Sequence, residues 1–124
     1  MRLLLDTHVV LWWCEDSPFL GDESRAAIAT AAVVLVSAAS AWEAAIKRAL
    51  GKLRLTEAFG ESVERSGFSA LPITFQHADV VADLPEYHRD PFDRMLIAQA
   101  RVEDLTIVTH DRRFGEYGVA TLWA

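Results

Sequence analysis

The chain has 124 residues, a net charge of −6 and a 52% hydrophobic composition. That length is one domain's worth, and the apolar share is enough to build a core without staples. The acidic balance argues against non-specific nucleic-acid binding over the whole surface, while leaving room for a local basic rim. A single cysteine, Cys14, excludes an internal disulfide and fits a reducing cytosol. It follows Trp12 and Trp13 and is expected to be buried filler. The start "MRLLLD" reaches an acid after three leucines and is not expected to act as a signal peptide, and no apolar run approaches the ~18 residues needed to span a bilayer. The expected location is cytoplasmic.

In chain order, residues 2–5 (RLLL) read as a buried strand ending at Asp6. Residues 7–16 read as a helix, 17–22 as a turn and 23–31 as a second helix. VVLVS (33–37) is a β-branched strand. Residues 38–53 are Ala-rich with a period near 3.6 and stop near Gly51. A helix over 56–66, a strand within 68–73, a helix over 75–83 and a helix over 91–103 follow. TIVTH (106–110) is a strand, 111–118 a short helix or turn, and 119–123 a last strand. Strands alternating with helices imply βαβ units and a mainly parallel sheet covered on both faces. Residues 1–124 are expected to form one domain.

Asp6 and Asp111 directly follow strands, Glu43 lies early in the 38–53 helix, and Asp90 and Asp93 open the 91–103 helix. In an open parallel sheet these positions share the edge where ligands bind. Capping explains each acid singly. Asp6, Asp90 and Asp111 suit N-caps, Asp90 with Pro91 behind it; Ser40-x-x-Glu43 matches a capping box. Two features go further. Asp93 shares a helical stripe with Leu96, Ile97 and Ala100, and Glu43 shares one with Ala39, Ile46 and Leu50, so both should face the interior. Convergent carboxylates also repel unless a cation lies among them. Neither lysine, Lys47 or Lys52, follows a late strand. An all-oxygen set suits Mg²⁺, with Mn²⁺ as a substitute, and such a site points to metal-dependent phosphoryl chemistry.

These residues carry a resemblance. "LLLDTH", "SAASAWEAAIKRALGKL", "DPFDRMLIAQA" and "IVTHDRRF", in that order and spacing, resemble a PIN domain, and within it the VapC-type toxins of bacterial toxin–antitoxin pairs. The resemblance covers nearly the whole chain. It implies a three-layer α/β/α sandwich around four or five mainly parallel strands and an endoribonuclease that hydrolyses RNA through a metal-activated water. It further implies a homodimer held inactive by a cognate antitoxin. Carried over by position, Asp6, Glu43, Asp93 and Asp111 are the catalytic metal ligands, and Asp90 is a weaker fifth. Thr7 and Ser37 stand as helper hydroxyls or caps; His8 departs from the Ser or Asn common after "DT".

Arg89, Arg94, Arg112 and Arg113 flank these acids and are candidate RNA contacts. His88 and His110 lie near the acids, with general base the lesser reading. Trp13 and Trp42 are expected in the core. Other readings fit less well. A receiver domain needs an acid after a central strand and a lysine after a late one; a haloacid-dehalogenase-type phosphatase needs a second acid two residues after Asp6. The nearer alternatives are a PIN nuclease of RNA processing, outside any toxin pair, and a non-catalytic metal-binding module.

Overall fold

The structure, a computed structural model, describes residues 1–124. Five strands form one sheet in the order β3-β2-β1-β4-β5, and every pairing is parallel. They are β1 (Arg2–Leu5), β2 (Val33–Ser37), β3 (Ser69–Leu71), β4 (Thr106–Thr109) and β5 (Thr121–Trp123). The helices are α1 (Thr7–Cys14), α2 (Asp22–Thr30), α3 (Ala38–Ala49), α4 (Phe59–Arg65), α5 (Phe75–Asp83) and α6 (Pro91–Glu103), with a 3-10 helix over Arg112–Tyr117.

Strand alternation divides the interior in two. Leu3 and Leu5 of β1 join Val34, Val36 and Val108 on one face, beneath Val9, Val10, Ile28 and Val63 from α1, α2 and α4. Leu4 joins Ile107 on the other face, beneath Leu96, Ile97 and Ala100 of α6. Helices on both faces give a three-layer α/β/α sandwich, as the resemblance implies. Leu3, Leu4 and Leu5 of the central strand are fully buried because both faces are covered, which is why this stretch needs no polar alternation.

Helix starts are fixed locally. Asp6 caps α1 by accepting from Val9 N at 3.0 Å. Asp90 caps α6, accepting from Phe92 N at 2.8 Å and Asp93 N at 3.1 Å, with Pro91 opening the helix where its missing N–H costs nothing. Asp111 caps the 3-10 helix. At α3 the cap is Ser37, not a box from Ser40 to Glu43; the Ser40 hydroxyl instead accepts from Thr7 Oγ1 at 2.8 Å.

Three expectations about burial change. Cys14 ends α1 and is exposed, because the helix stops there instead of running on to residue 16. Trp42 is 62% exposed and lies edge-on against Phe92, ring centroids 5.1 Å apart. Along α3 the stripe is buried only at Ala39 and Glu43; Ile46 and Leu50 emerge, since no residue of this helix beyond Ala44 is buried. Trp13 is half-buried against the core and Phe68.

Candidate functional site

The parallel strands end together, and the segments leaving them surround a cleft of about 750 Å³. Its walls carry Asp6, Glu43, Asp90, Asp93 and Asp111, together with Glu86, and only one hydrophobic side chain.

Asp6 is buried at the end of β1. Its backbone N–H continues the ladder to Val108 O at 3.0 Å, so the carboxylate is placed by the sheet itself. Thr109 Oγ1 donates to Asp6 Oδ2 at 2.5 Å and accepts from Asp111 N at 3.0 Å, linking the first acid to the last. Burial raises the Asp6 carboxyl above its ordinary range, opposed by the bonds from Thr109 and Val9 and by the nearby His8 and His110. Glu43 is 7% exposed. Its Oε2 meets Lys47 Nζ at 3.1 Å, one helical turn on, while Oε1 is buried without a partner.

Across the cleft, His88 is 4% exposed and reaches both remaining acids. Its Nε2 lies 2.8 Å from Asp93 Oδ2 and 3.0 Å from Asp111 Oδ2. Asp90 N donates to His88 Nδ1 at 3.2 Å, which leaves the neutral ring's proton on Nε2, between the two carboxylates. Burial, then the charges of Asp90, Asp6, Glu43 and Asp111, push the Asp93 carboxyl up to about 8. Asp111 moves the other way. Desolvation acts to raise it, but bonds from Arg113 and His88 outweigh this and hold it at about 2.

His88, Asp93 and Asp111 offer ligand atoms within 4.8 Å of one another. Asp6 and Glu43 face the same cleft but stand outside that triplet. The donor set fits a hard divalent cation on two grounds: it is dominated by carboxylate oxygens, and the buried Glu43 Oε1 lacks a partner, as a ligand oxygen does before its ion arrives.

The candidate RNA contacts separate. Arg89, Arg112 and Arg113 line the cleft, Arg113 paired with Asp111 at 2.9 Å and Arg112 over the Trp123 ring at 4.5 Å. Arg94 turns away. Its guanidinium donates to the carbonyls of Val81, Leu84, Pro85 and His88 at 2.9–3.3 Å, stapling the loop before α6. Thr7 lines the cleft, whereas Ser37 is spent on the α3 cap.

Two contributors are missed by the sequence reading. Thr109 offers one weak signal, a hydroxyl two residues before a late acid. Tyr117 offers none: its hydroxyl accepts from His88 N at 2.8 Å and donates to Pro85 O at 2.7 Å, holding His88 from a distant turn. His77, silent in the sequence, is a buried cap partner of Thr74 and lies 3.2 Å from Glu103, away from the cleft.

A family profile described as the PIN domain matches residues 3–120. The chain therefore belongs to the PIN domain family. Solved structures with the same fold include VapBC2 from Rickettsia felis bound to a DNA fragment from its promoter. That match has a TM-score of 0.74 at 13% identity, over 99% of this chain and 98% of that one. FitAcB from Neisseria gonorrhoeae matches at 0.68 and 22%, over 98% and 96%. VapC20 from Mycobacterium tuberculosis, a sarcin-ricin loop cleaving toxin, matches at 0.63 and 14%, over 96% and 97%. No curated protein sequence matches the chain. No helix is long and apolar enough to cross a membrane.

Proposed function

We infer that the chain is a Mg²⁺-dependent endoribonuclease, the toxin of a type II toxin–antitoxin pair, with residues 1–124 acting as one domain in the cytoplasm. The observation that carries this reading is the incompleteness of the cleft. Burial, and then the charges of the acids around it, push the Asp93 carboxyl up to about 8, and the buried Glu43 Oε1 has no partner. Relatives in fold support the biological setting: one is a sarcin-ricin loop cleaving toxin, and others form toxin–antitoxin complexes.

Asp6, Glu43, Asp93 and Asp111 would hold the cation, Mg²⁺ or in its place Mn²⁺, with Asp90 contributing less. When bound, such an ion supplies positive charge to a phosphodiester and lowers the pKa of an attacking water. Thr109 keeps Asp6 and Asp111 in fixed register. His88 holds Asp93 and Asp111 apart from free rotation until they are needed. Arg89, Arg112 and Arg113 place the phosphate backbone at the rim, a local positive edge on an acidic chain. A cognate antitoxin covers this cleft, and the active form is a homodimer.

The test is incubation of the purified chain with total RNA in Mg²⁺ or in EDTA, beside Asp93→Asn, followed by sequencing of product ends. Discrete Mg²⁺-dependent cuts with 5′-phosphate and 3′-hydroxyl ends, lost in Asp93→Asn, are expected. Absence of cleavage in the parent under every metal condition overturns the enzyme and leaves a metal-binding module. Cleavage by a chain with no antitoxin encoded beside it places the nuclease in RNA processing.

A further inference from the structure

Beside the acid cleft runs a series of aromatic rings that the metal chemistry does not use. His8, in the first turn of α1, and His110, just after β4, both line the cleft, their rings edge to face at 6.3 Å. Trp12 stands one helical turn beyond His8, 6.0 Å from it and 4.8 Å from His110. Phe19 lies 5.9 Å further out and is 75% exposed. Trp12, Phe19, His110 and Ala124 bound a shallow hollow of about 300 Å³. Single exposed apolar residues are ordinary. A connected series of rings that begins inside a polar cleft and ends in solvent is a surface with a direction.

We propose that His8, His110, Trp12 and Phe19 form a stacking platform for the bases of single-stranded RNA flanking the phosphate at the acid cleft. This deepens the nuclease reading and rests on it. Flat π faces accept any base, and a strand whose phosphate sits among the acids must lay its neighbouring nucleotides along one wall. Half of the platform is imidazole. Ring nitrogens pair with base edges, whereas an apolar peptide segment laid there would leave them unsatisfied. Arg112 and Arg113, next in sequence to Asp111 and at the same rim, supply backbone contacts beside the rings. The platform therefore adds affinity for nucleotides on one side of the cleft, with stacking that any base can supply.

Binding is read separately from cleavage by using the Asp93→Asn chain with Ca²⁺ in place of Mg²⁺. The probe is a fluorescent single-stranded oligoribonucleotide of about ten nucleotides, the scale of a stacking groove. Phe19 is exposed, so Phe19→Ala keeps the fold; it is expected to weaken binding on the order of tenfold. In a series of oligonucleotides each lacking one base, one position should reproduce that loss in the Asp93→Asn chain and add nothing in the Asp93→Asn/Phe19→Ala chain. Unchanged affinity for Phe19→Ala, with no sensitive base position, overturns the platform. So does sedimentation showing that Phe19→Ala dissociates an associated chain while oligonucleotide affinity stays the same, which makes the rings a protein interface. If the parent still cleaves total RNA in Mg²⁺ in either case, only the platform falls; a parent that neither binds nor cleaves ends the nuclease reading as well.

Discussion

On the α1 and α3 wall of the cleft, regular structure places each acid. Asp6 is fixed by the β1–β4 ladder and a helix cap, and Glu43 meets a lysine one turn along its own helix. On the facing wall, Asp93 and Asp111 share one imidazole delivered by a loop, and that loop is pinned by Arg94 and Tyr117. The first wall is rigid because it is secondary structure. On the second, the backbone of Asp93 belongs to α6 but its carboxylate, like that of Asp111, is held by a handful of side chains, so these acids should prove easier to disturb without touching them.

The largest effect should come from His88→Ala. It removes the donor shared by Asp93 and Asp111 and leaves two carboxylates facing each other. Outer-shell partners of this kind are typically worth about 10–100-fold in metal affinity or activity. The metal-free chain should also melt earlier, and Mg²⁺ should recover more of the melting temperature than in the parent. An unchanged RNA cleavage rate and melt would show that the two walls do not differ.

Arg94→Ala comes next. It leaves carbonyls of the loop without their charged donor, a loss of about 2–3 kcal/mol for the hydrogen bonds involved. Cleavage should fall with stability while affinity for a single-stranded oligonucleotide stays the same. A loss of affinity alone would return Arg94 to the role of RNA contact that its sequence position suggests.

How much of each wall is legible in the sequence follows the same division. Asp6, Glu43, Asp90, Asp93 and Asp111 can be placed on one edge because strand ends and helix starts are readable from local pattern, and α6 and β2 fall at their expected bounds. Arg94 and His88 cannot be sorted that way. Each lies within a few residues of the acids, and only the path of the 84–90 loop decides that one turns to backbone carbonyls and the other into the cleft. Trp42 fails for a related reason. The Ala-rich composition of α3 shows a helix but not how far it extends over the sheet, so an aromatic expected in the core lies on the surface.

The pH response separates the walls more finely. The Asp93 carboxyl, held at about 8, keeps in the folded chain a proton that its ordinary value of 3.8 would release. Between those values the folded state binds more protons than the unfolded one, so this group's stabilisation is lost as pH rises from about 4 to about 8. Without metal, the melting temperature should fall by on the order of 10 °C or more across that window in the parent and much less in Asp93→Asn. Saturating Mg²⁺ should flatten the parent's profile. A parent profile that is flat without metal would mean Asp93 is ionised throughout and the facing wall is not under charge strain.

The smallest effect belongs to Trp42→Ser. Its ring touches Phe92 at the surface, and such an edge-on pair is worth about 1 kcal/mol. Urea unfolding should move by no more than that, and RNA cleavage should not move at all.

The pairing of β1 with β4 also sets a schedule. Leu5 pairs with Val108, and Asp6 takes its hydrogen bond from Thr109, 103 residues later in the chain. A ribosome that has made the first hundred residues has made Asp6, Glu43 and Asp93, but neither the strand that completes the sheet's centre nor the hydroxyl that aims the first acid. If the cleft cuts RNA, a nascent chain cannot do so until Thr109 and Asp111 have been made and have folded back onto β1.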